Sequence, residues 1–185
     1  MALKATIYKA NLSLTDMDSH RYGEHALTLA RHPSETEERL MIRLLAYALH
    51  CPANDEQGRL EYAKGLFDVD EPDIWHKDLT GAVQLWIDAG LPDETRMKRT
   101  AARAGKVAVM TYATSTHMWW NGVKNALTRL NNLAVWHIPA EQSAALAALA
   151  QRSMNVQVMV QDGTVWLSSD AGSVEIVPEC LKPWQ

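Results

Sequence analysis

The stretch Ala82-Val-Gln-Leu-Trp-Ile-Asp88, followed by Gly90-Leu-Pro92, residues 93–104 and Lys106-Val-Ala-Val-Met-Thr-Tyr112, decides the fold class. The first run is short, apolar and rich in β-branched and aromatic side chains, which reads as a strand. Gly90 and Pro92 stop it. Residues 93–104 then carry acids first (Asp93, Glu94) and bases later (Arg96, Lys98, Arg99, Arg103), the order that a helix dipole favours. Residues 106–112 are apolar enough for a strand buried on both faces of a parallel sheet. A helix over 117–130, a strand over 133–138 and an Ala-rich helix over 140–151 continue the pattern. Strand–helix–strand alternation of this kind predicts parallel pairing through helical crossovers.

Working outward, residues 3–14 read as a strand, Thr15-Asp-Met-Asp-Ser19 as a turn and residues near 21–30 as the return strand of a hairpin. Ser34-Glu-Thr-Glu37 has the spacing of a capping box. It opens a predicted helix over 35–50, with Arg39 and Arg43 on one stripe and Met41, Leu44, Leu45 and Ala48 on the opposite one. A strand over 60–67 is followed by an acidic, proline-containing turn and the segment Ile74-Trp75, before the strand over 82–88. The chain closes with a hairpin, 156–161 and 164–167 around Asp162-Gly163, and a strand near 173–177. No repeat, linker or low-complexity tract interrupts it. The expectation is one α/β domain over 1–185, with a mixed central sheet flanked by helices and added β-hairpins.

A chain of 185 residues with 47% hydrophobic and 22% charged content has enough apolar material for a core, which argues against long-range disorder. No apolar run approaches the roughly 18–20 residues needed to cross a bilayer. Met1-Ala-Leu-Lys-Ala5 lacks an apolar signal core, so a cytoplasmic protein with two structural thiols, Cys51 and Cys180, is expected. The net charge of −4 is unevenly spread. Residues 91–130 hold seven Lys or Arg against two acids, whereas residues 51–90 hold Asp55, Glu56, Glu61, Asp68, Asp70, Glu71, Asp73, Asp78 and Asp88. An acidic pocket beside a basic flank suits a metal-dependent enzyme acting on a polyanion, and equally two solvated faces.

Within the acidic region Asp73 follows Pro72, and Gln84 lies eleven residues later on the next strand. A carboxylate, a side-chain carbonyl and a backbone carbonyl such as that of Leu85 form an oxygen set that a divalent cation accepts. Alternation places Gln84, Trp86 and Asp88 on one face and Leu85 and Ile87 on the other. The seven histidines give no ligand set: His20 and His25 share a strand region and His50 ends a helix, so scattered surface or core roles fit better than zinc. Glycine-rich phosphate loops and the GxSxG elbow are absent.

Together, Arg31-His-Pro-Ser-Glu-Thr-Glu-Glu-Arg39, Glu71-Pro-Asp73, Trp86-Ile-Asp-Ala-Gly-Leu-Pro-Asp-Glu94 and Arg103-Ala104 resemble the hallmark stretches of the YaeQ family. The resemblance runs the length of the chain. It implies a fold similar to the PD-(D/E)XK (restriction-endonuclease-like) nucleases, which hydrolyse phosphodiesters with Mg²⁺ and accept Mn²⁺. Carried over, Asp73 fills the aspartate position and Gln84 the second acidic position, as an amide. Trp86 stands where the lysine belongs. Glu37 or Glu38 would be the helix acid, with Glu38 the freer because the capping box accounts for Glu37. Lys98 is the first candidate for a relocated lysine and Arg96 the second. Arg99, Arg103 and Lys106 would hold a substrate backbone. The losses of a carboxylate and of the lysine weaken metal binding and attack. Three readings follow: a Mg²⁺-dependent nuclease-like phosphodiesterase using Asp73, Gln84, Lys98 and Glu38; a non-catalytic nucleic-acid-binding protein on the same scaffold; and a protein-interaction module.

Overall fold

Thr6–Asp16 alternates buried and exposed residues with period two, and that alternation shapes one side of the molecule. In the computed structural model, which describes residues 4–185, this is strand β1. It returns as β2 (Arg21–Arg31) through a turn in which His20 takes a positive φ. The helix α1 (Glu37–His50) follows, then β3 (Arg59–Tyr62), β4 (Ile74–Lys77), β5 (Val83–Ala89), α2 (Glu94–Arg103), β6 (Lys106–Thr111), α3 (Thr116–Leu127) and β7 (Leu133–His137). The remainder is α4 (Ala140–Ala147), β8 (Ser153–Gln161), β9 (Thr164–Ser169), β10 (Gly172–Ile176) and β11 (Glu179–Lys182). No described helix is long and apolar enough to cross a membrane.

The chain divides into two compact units. The first comprises the chain up to Ala53 with Glu141–Pro178. Its five strands lie in the order β10-β9-β8-β1-β2. All neighbours are antiparallel except β1 and β8, which run parallel from Lys9 opposite Ser153 to Asp16 opposite Val160. Tyr8, Ala10, Leu12 and Leu14 of β1 and Met154, Val156, Val158 and Val160 of β8 form the buried face. In α1, every residue from Leu40 to Ala48 is buried, Arg43 included. The expected split into a basic and an apolar stripe therefore does not hold, since Arg43 is inside and held by Glu35 and by the Ala30 carbonyl.

The second unit comprises Asn54–Ala140 with Glu179–Gln185. Six strands run in the order β11-β7-β6-β5-β4-β3. β5, β6 and β7 are parallel and joined by α2 and α3, as the alternation predicts, and β3, β4 and β11 pair antiparallel. Helix α2 is capped by Asp93, whose carboxylate accepts the Arg96 N–H. Its Met97 and Ala101, with Ala104 after it, pack on Trp86, Val107, Val109, Leu127, Leu133 and Val135. Burying a side chain such as Met97 or Leu133 contributes about 1.5–3 kcal/mol each.

The mixed α/β architecture agrees with the sequence reading; the single central sheet does not, because there are two sheets. Ile74–Lys77, to which the sequence reading gives no element bounds, is strand β4, and Glu179–Lys182 is an edge strand not foreseen. The strand expected over 60–67 ends at Tyr62 and gives way to a 3-10 turn over Gly65–Phe67. Ser34 does not cap α1 either. Thr36 is the N-cap, accepting the Arg39 N–H at 3.1 Å, while the Ser34 hydroxyl lies 2.7 Å from His32 Nδ1.

Candidate functional site

Strand β5 organises the predicted site residues, and it separates them. At its carboxyl end, Asp73 donates its N–H to the Ile87 carbonyl, and its Oδ2 accepts the Ala89 N–H at 2.8 Å. Asp73 is 3% exposed and therefore lies inside the protein rather than in an open cleft. Its other oxygen faces Gly65, where a Cβ would come within 2.7 Å. Beside it on β5, Asp88 is also buried and is gripped by Arg96 at 2.8 and 3.0 Å. The Arg96 fork also donates to the Val69 and Glu71 carbonyls. The Asp88 hydrogen bond and charge, with the charges of Asp73 and Asp93, hold the guanidinium above its ordinary pKa.

Gln84 sits at the other end of the strand, about 13 Å of backbone from Asp88 at about 3.3 Å per residue. It is exposed, and its Nε2 donates to Asp78 Oδ2 at 2.7 Å. Asp78 is the hub of the β4–β5 hairpin, and the Thr80 hydroxyl, foremost among its partners, holds its carboxyl below the usual range. Trp86 lies between Gln84 and Asp88 along β5, with the Arg96 and Arg103 guanidinium carbons each 5.7 Å from its ring centroid, and Gln84 falls where the β4–β5 register shifts. The structure does not bring Gln84 to Asp73.

Lys98 points outward and pairs with Glu94 one turn back, at 2.5 Å. Arg96, second in the sequence reading, is the α2 cation that reaches the carboxylates. Arg99 and Arg103 are exposed, as is Lys106. Lys106 pairs with Leu85 across the sheet and places its ammonium 4.8 Å from the Trp184 ring centroid. Lys106 and Lys77, whose ammonium lies 3.6 Å from the Trp75 centroid, stand at the amino end of the parallel strands, and Arg103 ends α2 just before β6. The helix acids belong to the first unit. Glu38 accepts the Ser143 hydroxyl at 2.6 Å, and Glu37 accepts the Tyr8 hydroxyl at 3.0 Å. Burial, then the Glu37 hydrogen bond, raises the Tyr8 pKa.

One constellation carries no short-spacing signal in the sequence. His117 in the first turn of α3, His137 at the end of β7 and Glu179 at the start of β11 each present a ligand atom within 4.8 Å of the other two. Burial, then the neighbouring His117, lowers the His137 pKa. Three residues on three elements, separated by 20 and 42 positions, defeat any search by spacing.

A sequence profile described as "YaeQ protein" matches residues 1–178. The chain belongs to the YaeQ family. It is 42% identical to "Uncharacterized protein YaeQ" of Escherichia coli (strain K12) over 186 aligned positions, covering 100% of this chain and 98% of that one. The same figures hold for the protein of that name from Salmonella typhi. Among solved structures, the YaeQ protein of Xanthomonas axonopodis pv. citri superposes with a TM-score of 0.91 at 44% identity, over 97% of this chain and 99% of that one. The Pseudomonas syringae YaeQ protein gives 0.89 at 36% identity, over 97% of each chain. The YaeQ resemblance of the motif stretches is thus a family relationship across the whole fold.

Proposed function

We propose that the second unit binds a nucleic-acid backbone at the amino end of its parallel strands, without hydrolysing it through Asp73 and Gln84. The placement of Lys106 carries this reading. It projects from the first position of β6 beside Trp184, with Arg103 at the end of α2 and Lys77 at the end of β4 nearby in the sheet order. Cations set against aromatic rings suit phosphate contact with neighbouring base stacking. Asp78 is the acid at this end of the β4–β5 hairpin, and its hydrogen bonds from Thr80 and Gln84 tie it up.

The hydrolytic reading lacks its centre in this arrangement. A shared Mg²⁺ needs Asp73 and Gln84 within about 2–2.5 Å of one point, whereas Asp73, just before β4, accepts the Ala89 N–H at the carboxyl end of β5 and Gln84 lies near that strand's amino end. Trp86 supplies no proton or charge for attack.

The test is fluorescence anisotropy with single- and double-stranded oligonucleotides across a salt series, with and without Mg²⁺ or Mn²⁺. Binding that weakens with salt, with a slope reduced by about 2 in an R103A/K106A double variant, supports the reading. Absence of binding overturns it. Metal-dependent cleavage that disappears in D73N replaces it with the phosphodiesterase.

A further inference from the structure

We infer that His117, His137 and Glu179 form a binding site for a divalent transition metal of the zinc class, with its fourth position open to water. This site shares no residue with the proposed nucleic-acid surface and does not depend on that reading.

The ligand chemistry comes first. Two imidazoles and a carboxylate are a set that zinc accepts with three protein ligands and one water. Their ligand atoms lie within 4.8 Å of one another, against about 3.4 Å between ligands around a tetrahedral ion with bonds of about 2.1 Å. The remaining movement falls to side chains free to make it, since His117 and Glu179 are 58% and 48% exposed. They already approach each other, His117 Nε2 lying 3.3 Å from Glu179 Oε2. His137 is the fixed member, 6% exposed, with its ring edge-on to His117 at 5.1 Å between centroids.

The second observation is the Thr111 hydroxyl, which lies 3.0 Å from both His137 Nδ1 and the Trp136 carbonyl. The Thr111 hydroxyl has one hydrogen, and it donates it to the Trp136 carbonyl at 3.0 Å. Toward His137 Nδ1, also at 3.0 Å, it can therefore only accept. That places the ring proton on Nδ1 and leaves the lone pair on Nε2. A partner that fixes the tautomer and aims the other nitrogen is the usual support of a metal-ligating histidine. Place in the fold agrees: His137 ends β7, Thr111 ends β6, and the carboxyl ends of parallel strands are where open α/β sheets hold ligands. The amino end of α3 works against a cation there, and the Glu179 charge offsets it.

The bland alternative is an exposed His117–Glu179 ion pair resting on a core histidine. Untagged protein, stripped with chelator, separates the two when titrated with Zn²⁺ against a chromophoric competitor and with Co²⁺ under visible spectroscopy. The expected result is one tight Zn²⁺ site per chain and a Co²⁺ spectrum of tetrahedral intensity. H117A and E179Q, both at exposed positions, should each weaken Zn²⁺ binding at least tenfold and abolish that spectrum. T111V, which removes only the orienting hydroxyl, should weaken binding by about 10–100-fold. Far-UV circular dichroism and melting of the metal-free variants establish that the fold is retained. If the wild type binds no better than an H117A/E179Q double variant, or if the Co²⁺ spectrum survives in it, the site does not exist.

Discussion

Arg96 binds both oxygens of Asp88, through Nε at 2.8 Å and Nη2 at 3.0 Å, and so ties the first turn of α2 to the end of β5. The same guanidinium donates to the Val69 and Glu71 carbonyls, which anchors the segment leading into β4. One side chain thus fastens three parts of the second unit where the sequence placed an open acidic pocket.

Replacing Arg96 with Ala leaves Asp88 buried without its cation and frees two backbone carbonyls. The expected cost is about 2–4 kcal/mol, below that of a fully buried pair because the Arg96 side chain is 21% exposed. Urea denaturation measures it. R96K should recover less than half, since an ammonium does not reproduce the fork. A loss under about 1 kcal/mol for R96A would show that the grip is ornamental.

Gly65 takes a φ of +53°, and a Cβ there would lie 2.7 Å from Asp73 Oδ1. G65A meets both an unfavourable backbone region and the Asp73 carboxylate, so it should destabilise by about 1–3 kcal/mol. If D73A relieves part of that penalty in a double-mutant cycle, the carboxylate is the obstacle; strict additivity would assign the whole cost to the backbone.

Glu35 is the hub of the turn before α1, accepting from Arg39, from both Nε and Nη2 of Arg43, and from the His32 N–H. E35A should cost about 3–5 kcal/mol, because a buried guanidinium loses its carboxylate. E38Q, by contrast, keeps an acceptor for the Ser143 hydroxyl and should change stability by under about 1 kcal/mol. Thermal melts of the two side by side give the answer, and equal melting temperatures would contradict it.

His50 donates from Nδ1 to the Ala46 carbonyl, and burial above all lowers its pKa to about 4. The unfolded chain protonates this residue near the ordinary value of 6.5, while the folded one stays neutral. Above that value the residue is neutral in both states and has no effect. As the pH falls from about 6.5 toward about 4 the unfolded state takes up the proton, and stability should drop by up to about 3 kcal/mol. Stability measured across this window should flatten in H50Q; an unchanged slope would place the acid sensitivity elsewhere.

Local signals account for what the sequence showed. The β1–β2 hairpin, the β5-α2-β6-α3-β7 alternation and the turn at Asp162-Gly163 each rest on periodicity or turn chemistry within a few residues. The bounds of strand β4 were not legible because Ile74-Trp-His-Lys77 is short and flanked by Pro72 and Asp78; it is a strand because β3 and β5 pair with it on both sides. Edge strand β11 similarly exists through pairing with β7. The site was legible as residue types and not as geometry. Alternation said nothing of the four-residue step from Gln84 to Asp88, nor of the irregular register at Gln84, which falls between Leu85 opposite His76 and Val83 opposite Lys77. The choice of Lys98 over Arg96 turned on helix phase, and Arg96 won because the Asp93 cap sets α2 so that Arg96, not Lys98, faces Asp88. The histidine–glutamate cluster needed the tertiary fold itself.

The parallel pairing of β1 with β8 joins residues 144 positions apart, as in the match of Lys9 with Ser153, and β11 occupies four of the last seven residues. During synthesis, the β1–β2 hairpin is made with the β1 edge unpaired, and that edge stays so until β8 is made. The six-stranded sheet likewise waits for β11, which is made more than forty residues after its partner β7. Neither sheet can close before its late partner strand has been made, so the early hairpin waits on distant sequence and is the segment most in need of protection from aggregation.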